Sequence, residues 1–588
     1  MSKLALLKAT TDLAGVAKLL AMKAPSLSYV LYIQPPASKY HKFDISKRYG
    51  GVRTICAPID LLKSVQHRLS ELLQDCVEEI EVASGRSNTV SHGFRRQRTI
   101  ITNATEHRGR RHVFNVDLKD FFPSINFGRV RGFFLKDKNF ALHPNAATVI
   151  AQIACFENAL PQGSPSSPVI SNLIANILDM HLVALASQHG CRYTRYADDL
   201  TFSTNKPTFP NAIAVHAATK GNNWITGKKL DGLVRKAGFE INPSKTRMQY
   251  ADSRQQVTGL VVNRKINVPS DYRRNVRAMT HHLVTKGIFH IVGSKFDSLG
   301  KKTTITTPGQ LPQLHGMLAY IDRIDIHNKE QALRFLDPKF HDKEMKYENH
   351  KLIRKETTFC RFLLFSEFYA APKPVLLCEG PSDRIYIRHA IVGLASRFPI
   401  LATKNAAGDI TLNIRRYKYE ENNTNRILHI RGGCGPLLKF IATYKREAEK
   451  FTAPGLYQPV IILVDNDSGP EEIYKYINTV LKISAARSAP FVHIAANLYL
   501  VPTPLTAAGK STKMEDFFDA SVKSIVVNGK SFDPDKEHED LKHYGKVVFA
   551  HQVIAPHASK IDFMQFAPLL SNIESLIKTH IAKHPKPP

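Results

Sequence analysis

The chain has 588 residues, and 81 Lys or Arg stand against 51 Asp or Glu, a formal net charge of +30. That length holds about three or four domain-sized units, and so large a positive excess calls for a polyanionic partner, of which nucleic acid is the simplest. Seven cysteines without a C-x-x-C pair argue against a zinc ribbon or a disulfide framework and suit a reducing cytoplasm; the apolar run in Met1–Lys8 is too short for a signal peptide, and no apolar run of eighteen residues predicts a membrane span.

Residues 1–45 read as a helical extension with Leu13, Val16, Leu19 and Leu20 on one face. Lys47–Ile55 is a basic, hairpin-like stretch, and the Arg53 guanidinium suits a bidentate hold on a triphosphate. Between 61 and 76, Leu61, Val65, Leu69, Leu72 and Cys76 recur at helical spacing and predict core. Residues 91–112 form a basic loop with Arg95, Arg96, Arg98, Arg108, Arg110 and Arg111, suited to track a template backbone. Val113–Phe122 begins as an apolar strand and presents Asp117 at its end, a rigid mount for a ligand. Leu160-Pro161-Gln162-Gly163 then precedes a helix with Ile170, Leu173, Ile174, Ile177 and Leu178 on one face.

The chain is organised around Arg195–Ser203. Two β-prone segments, Cys191–Thr194 and Leu200–Ser203, flank Asp198-Asp199 and predict a hairpin with adjacent carboxylates at its tip. Ionised carboxylates side by side repel, so the pair needs cations, and a divalent metal site is the usual reason to keep both charged. With Asp117 they would hold two Mg²⁺ ions about 3.5–4 Å apart. A solvated turn is the plain alternative for Asp-Asp alone.

The ordered set Asp117, Pro161-Gln162-Gly163, Tyr196-Ala197-Asp198-Asp199, Lys245 and Gly259 resembles the fingers and palm of reverse transcriptases over residues 46–265. Within it, Asn103-Ala104-Thr105-Glu106-His107 and Val257-Thr258-Gly259 match the N-A-x-x-H and V-T-G signatures of retron reverse transcriptases. The resemblance implies an α+β right-hand polymerase. It makes Asp117, Asp198 and Asp199 the catalytic metal ligands and gives Asn103, His107, Val257, Thr258 and Gly259 a part in recognising a structured RNA that is both template and primer. It also implies that Phe122, five residues after Asp117, is a steric gate against a 2′-hydroxyl. Gln162 lies near the incoming nucleotide, and Lys245 near its triphosphate. Residues 266–330 read as a helical, basic thumb and 331–370 as a connector. An intron-like or abortive-infection polymerase is the rival reading.

From Pro374 strands and helices alternate. Pro374–Cys378 is a buried strand ending at Glu379-Gly380, with Ser382-Asp383 placed to cap the next helix. Ile427–Ile430 with Gly432-Gly433 reads as strand plus turn, and Val460–Val464 ends at Asp465-Asn466-Asp467. Carboxylates after two strands fall at the carboxyl edge of a parallel sheet, where α/β folds put their sites. This pattern, over 371–588, resembles the Rossmann-like Toprim fold. The resemblance implies Mg²⁺ held by Glu379, Asp465 and Asp467, with Glu515 as a further ligand, and nuclease chemistry. A non-catalytic partner-binding module is the alternative. The whole layout resembles retrons that carry such an effector in anti-phage defence. The partners it implies are the cognate non-coding RNA, its RNA-linked DNA product, deoxynucleoside triphosphates and a nucleic-acid target of the second domain, with no membrane; it leaves a homo-oligomer open. The tail, 583–588, reads as disordered.

Overall fold

A computed structural model describes residues 2–46, 52–85, 88–217, 224–296, 302–337, 352–419, 422–535 and 540–586. Lys47–Gly51 of the basic stretch, the middle of the connector and the last two residues of the tail lie outside the described residues. The chain forms two compact units, Met1–Tyr272 with Val292–Ile305, and Arg273–Ile291 with Thr306–Pro588.

In the first unit, β1 (Tyr40–Ser46) and β2 (Val52–Pro58) pair antiparallel. Further along the chain come α1 (Asp60–Ser84), α2 (Ile100–Glu106), β3 (His112–Lys119), α3 (Ser167–Gln188), β4 (Arg192–Tyr196), β5 (Asp199–Thr204) and β6 (Glu240–Tyr250). The sheet runs β4-β5-β3-β6, with every neighbour antiparallel. β3 is central because Val113, Phe114, Val116 and Leu118 are all buried, so both of its faces need cover. Val65, Leu69, Leu72 and Cys76 of α1 join the same core; Leu61 turns outward and Leu62 is buried instead.

Ile170, Ile174 and Leu178 line the buried stripe of α3, while Ile177, expected on that face, is 45% exposed. α3 is long and apolar enough to cross a membrane by composition, against the sequence expectation, and 56% of its most apolar window is buried in the unit. A core helix has the same composition.

In the second unit the helices α4 (Ser270–Lys286, from Arg273 onward), α5 (Leu311–Leu336) and α6 (Arg354–Leu364) precede a five-stranded sheet. Its strands are β7 (Val375–Cys378), β8 (Arg415–Arg416), β9 (Val460–Val464), β10 (Val492–Ala495) and β11 (Leu498–Pro502), in the order β8-β7-β9-β11-β10. All pairs are parallel except β10 with β11. β7 and β9 are buried throughout, as parallel strands covered on both faces must be. Helices α7 (Asp383–Gly393), α8 (Asn423–Leu428) and α9 (Cys434–Ala448) connect them. The segment expected as a strand at Ile427–Ile430 begins inside α8. Asn422 caps that helix by accepting from Asn425 N at 3.0 Å, and His429 ends it at φ +55°. A local cap outweighs the β-branched run.

Candidate active sites

The β4–β5 hairpin turns on two residues, Ala197 and Asp198, between the paired Tyr196 and Asp199. Ala197 sits at φ +57°, the left-handed region that a two-residue hairpin turn demands and an alanine resists. The turn is braced from outside. Arg195 N donates to Val90 O and His92 N to Arg195 O, each at 2.8 Å, and a Cβ on Gly93 would stand 2.5 Å from Ala197 N. Only glycine lets that segment lie so close.

Beneath the turn lies Arg195, with no exposed surface. Its Nε and Nη2 donate to Asp179 at 2.9 and 2.7 Å, and its Nη1 to Asn172 Oδ1 at 2.9 Å and to Ala197 O at 3.2 Å. Tyr193 donates its hydroxyl to the same Asp179 at 2.8 Å. Sequence reasoning passed over this pair. Its signal was Asp179 itself, an acid on the apolar stripe of α3, which needs a buried partner.

The register pairs Asp117 on β3 with Asp199 on β5, and Leu118 N donates to Asp198 O at 2.9 Å. The three aspartates therefore gather at one end of the sheet. Asp117 is 4% exposed, accepting from Lys245 Nζ at 2.8 Å and Asn242 Nδ2 at 3.1 Å. Asp198 is half-buried, and Asp199 keeps a solvent-facing side. Loss of surrounding water and then the charge of Asp117 raise the Asp198 carboxyl above its ordinary range. Loss of water, then Asp198 and Asp117, push Asp199 up to about 7. Desolvation works against the Lys245 ammonium, but its bond to Asp117 and the neighbouring aspartates hold its pKa above the usual value.

Asp117, Asp198 and Lys245 face a cavity of about 560 Å³ that is also lined by Arg53, Phe122, Gln162 and Asn242. The Gln162 carbonyl accepts from Cys56 N at 2.8 Å. Gly163 follows at φ +118°, where a Cβ would meet Cys56 O at 2.8 Å. Phe122 is half-buried at the cavity wall; its neighbour Phe121 is core, stacked on Phe239 at 5.6 Å.

The signature residues expected to meet RNA are placed differently. Asn103, His107 and Val257 have no exposed surface, so a direct contact with RNA is corrected to a supporting place. His107 joins Ser203 Oγ and Thr194 Oγ1 at 2.7 Å each, and Thr194 donates to Asn103 at 2.6 Å. Burial, then the charges of His92, Arg110 and Arg192, lowers His107 to about 3, so the ring is neutral. Thr258, at φ +47°, donates to Ile100 O at 3.2 Å, and Gly259 follows at φ +82°. The basic loop also divides. Arg95 pairs with Glu81 and Arg96 with Asp75, each at 2.6 Å, on α1.

In the second unit, β7 ends one residue before β9, and Glu379 and Asp465 follow them at the same edge of the sheet. Glu379 Oε2 accepts from Asp465 N at 3.3 Å. A Cβ on Gly469 would stand 3.1 Å from Asp467 Oδ1 and 3.5 Å from Glu379 Oε1, which places those oxygens around one point. Glu515, 2% exposed, lies 3.0 Å from Lys546 Nζ, and neither of its oxygens has an aligned hydrogen-bond donor. Two residues outside the expected ligand set, Asp383 and Lys546, join them. Asp383 does not cap α7 through Ser382 as expected; it turns back to accept from Gly380 N at 2.7 Å, and burial, then Glu515, pushes it to about 7. Lys546 also lies 4.0 Å from Asp465 Oδ2. Asp465 is pushed up to about 8 by burial, then by Asp383 and Glu515.

Among the described residues, no three His, Cys, Asp or Glu side chains stand already gathered as a metal-ligand group. Lys245 and Lys546 point their ammoniums at the carboxylates. Both sets nevertheless fit hard divalent cations. Their donors are carboxylate oxygens, and burial, then neighbouring carboxylates, raises Asp199 and Asp465, a cost that a bound cation would offset.

A family described as reverse transcriptase (RNA-dependent DNA polymerase) matches residues 45–263, the stretch that holds the first carboxylate set. Retron enzymes are among the relatives. The retron Mx162 reverse transcriptase of Myxococcus xanthus is 33% identical over 338 residues, 53% of this chain and 63% of that protein. The retron Mx65 reverse transcriptase of the same organism is 32% identical, over 51% of this chain and 65% of that one. The retron Ec86 reverse transcriptase of Escherichia coli is 31% identical over 45% of this chain and 78% of its own length. The chain belongs to the retron reverse transcriptase family. Its match spans a little under two thirds of each Myxococcus protein.

Proposed function

We propose that the chain is a retron-type RNA-directed DNA polymerase joined to a second, metal-dependent nuclease unit. The observation that carries the first half is the register that sets Asp117 opposite Asp199 and beside Asp198, over a cavity lined by Arg53, Phe122 and Gln162.

In this reading Asp117, Asp198 and Asp199 hold divalent cations, Mg²⁺ by preference. Bound there, such cations lower the pKa of an attacking sugar hydroxyl and offset charge on the leaving pyrophosphate. Arg53 takes the triphosphate by its fork of donors. The Phe122 ring excludes a 2′-hydroxyl, and Gln162 borders the nucleotide. Lys245 orients Asp117 and stands ready to give a proton to the pyrophosphate. The template is the chain's own folded non-coding RNA, and an internal guanosine 2′-hydroxyl is the primer, so the product is branched, RNA-linked single-stranded DNA. Nucleic acid isolated with the protein tests this: it contains an RNA–DNA joint that debranching enzyme cleaves. Its absence from active protein sinks the retron-type priming.

The second unit reads as a Toprim-type nuclease, because Glu379 and Asp465 follow parallel strands at the carboxyl edge of the sheet, with Asp467 near Glu379. Asp383 and Glu515 extend the set, with Lys546 as their counter-charge. In anti-phage defence in the cytoplasm, the RNA–DNA product restrains this nuclease until infection disturbs it. Substituting Glu379 and Asp467 removes defence and leaves DNA synthesis intact; unimpaired defence would leave the unit a binding module.

A further inference from the structure

Beside the second carboxylate set, three arginines converge. Tyr386, Ile387, Ala390 and Ile391 form the buried stripe of α7. Arg384, half-buried, and Arg388, exposed, lie off that stripe and one turn apart, so their side chains are neighbours. The third arginine comes from the edge strand β8, whose two residues point to opposite faces. Arg415 pairs with Glu367, while Arg416 reaches α7 and donates from Nη1 to Arg384 O at 3.1 Å. Among the described residues, none of Arg384, Arg388 and Arg416 stands within ion-pair distance of a carboxylate, and the Arg416 Nε is buried without an acceptor. Asp383, next to Arg384 in sequence, accepts from Gly380 N and lies in the field of Glu515 and Lys546.

This arrangement opposes folding. Like charges at i and i+4 repel. Burial, then the charges of Arg388 and Arg384, holds the Arg416 guanidinium below its usual range. Burial, then Arg388 and Arg416, does the same to the His389 ring beside them. An anion set among the three arginines would remove the repulsion, and a guanidinium takes a phosphate through two parallel donors. The place in the fold says which phosphate. β7 and β8 run parallel, with Leu376 opposite Arg416, towards the edge where Glu379 stands. Burial raises the Cys378 thiol and Asp383 adds to it, while Arg416 and Arg384 both oppose, so both guanidiniums lie near the residue just before Glu379. Arg388 lies one turn, about 5.4 Å, further along α7. The arginines form a row that leads away from the carboxylate set.

We propose that Arg384, Arg388 and Arg416 clamp a phosphate of the nucleic-acid strand that the second unit cuts, a phosphate that neighbours the scissile one. The inference rests on the nuclease reading of the second unit. The clamp fixes the strand while the carboxylate set acts on the next bond, so it sets where the strand is cut. A nucleic acid is favoured over an acidic protein segment because the row adjoins carboxylates fit for divalent cations, the chemistry that phosphodiester cleavage uses.

The test uses the full chain and the variant Arg384→Gln, Arg388→Gln. Cleavage of a 5′-phosphorylated single strand, made as DNA and as RNA, is followed in MgCl₂ beside a circular strand of the same sequence. The variant should raise KM by about 10-fold or more, and by a larger factor than it changes kcat, because charge-assisted bonds made to the bound substrate are lost. A rise on both forms assigns an internal phosphodiester and a rise on the linear strand alone a terminal phosphate; either bears the proposal out. Unchanged KM on the strand that is cut overturns it. With two like charges gone, the calorimetric transition of the second unit should hold or rise in phosphate-free buffer; a fall makes the arginines structural and also overturns the clamp. A second measurement needs no cleavage. Phenylglyoxal modifies guanidiniums, and peptide mapping of treated wild type should show Arg384 and Arg388 protected by the oligonucleotide. No protection overturns the proposal, and so does protection by polyglutamate but not by the oligonucleotide, which would assign the face to an acidic protein. Protection in a wild type that cuts neither DNA nor RNA keeps the phosphate site and refutes the nuclease reading instead.

Discussion

Arg195→Met isolates the turn that carries Asp198. The wild-type guanidinium is fully buried and makes a two-bond ion pair with Asp179 as well as reaching Asn172 and the Ala197 carbonyl. Removing one partner of such a pair strands the other charge and costs about 3–5 kcal/mol. Loss of activity in the single variant would therefore show little more than loss of fold. Adding Asp179→Leu removes the stranded carboxylate, and a buried pair replaced by apolar groups is neutral to stabilising. The remaining cost is the Tyr193 hydroxyl without its acceptor, about 1–3 kcal/mol. The double variant thus keeps most of the stability of the first unit, read as its calorimetric transition. The Ala197 carbonyl, however, has lost its donor, and a left-handed alanine holds only where its surroundings impose it. A displacement of about 1 Å at Asp198 costs about 10²-fold in rate. Deoxynucleotide incorporation on poly(rA)·oligo(dT) should fall by that factor while the transition stays near the wild-type temperature. A stable double variant with wild-type kcat refutes the claim that Arg195 positions the turn.

Asp199 is raised from 3.8 to about 7 in the fold. Between those values the native state binds the extra proton, so metal-free protein loses stability as pH rises from about 4 through 7. MgCl₂ should flatten that fall relative to EDTA, and identical midpoint-against-pH curves would remove the cation from this site. Lys245→Met frees Asp117 of its ammonium and should cut incorporation by about 10²-fold; because Lys245 is half exposed, the midpoint moves little, and unchanged kcat contradicts its role. Phe122→Val should raise ribonucleotide use relative to deoxynucleotide by about 10-fold or more, measured as the ratio of kcat/KM values; an unchanged ratio moves the gate elsewhere. Lys546→Met removes the counter-charge of Glu515 and should destabilise the second unit by up to about 3 kcal/mol, with partial recovery in divalent cation.

The positions of the carboxylates were legible because strands end where apolar alternation ends. Val113–Leu118 and Leu200–Phe202 announce buried strands, and an acid at such an edge stands at the end of the sheet. The same logic placed Glu379 and Asp465. The features that stayed hidden depend on partners far away in sequence. Arg195 looks like a surface residue until Asp179, sixteen positions earlier, is seen beneath it. Asn103 and His107 look like ligand groups because they are polar, yet their partners Thr194 and Ser203 are equally polar and equally buried. Asp383 reads as a cap because of its place after Ser382, while burial beside Glu515 draws it to the carboxylate set. Ile427–Leu428 reads as β-prone only if the capping Asn422 is ignored.

α8 carries one more consequence for the second unit. Arg426 on this helix is buried and bonded to Asp322 of α5 and, at 3.1 Å, to Glu356 of α6, while Lys329 of α5 reaches Glu356 at 3.0 Å. A buried charge network of this kind costs more in desolvation than apolar packing would, so its effect is to fix one relative placement of α5, α6 and α8. From α8 the chain reaches Gly432 and Gly433 within a few residues, and Gly433 N donates to the Glu379 carbonyl at 2.7 Å. Gly432 sits at φ +92°, where a Cβ would stand 3.2 Å from the same carbonyl. The long helix that sequence reads as a polymerase thumb is thus joined, through one arginine and one glycine turn, to the first carboxylate of the second site. A force on α5 that broke the Asp322–Arg426 bond would release α8 and with it the support of Glu379.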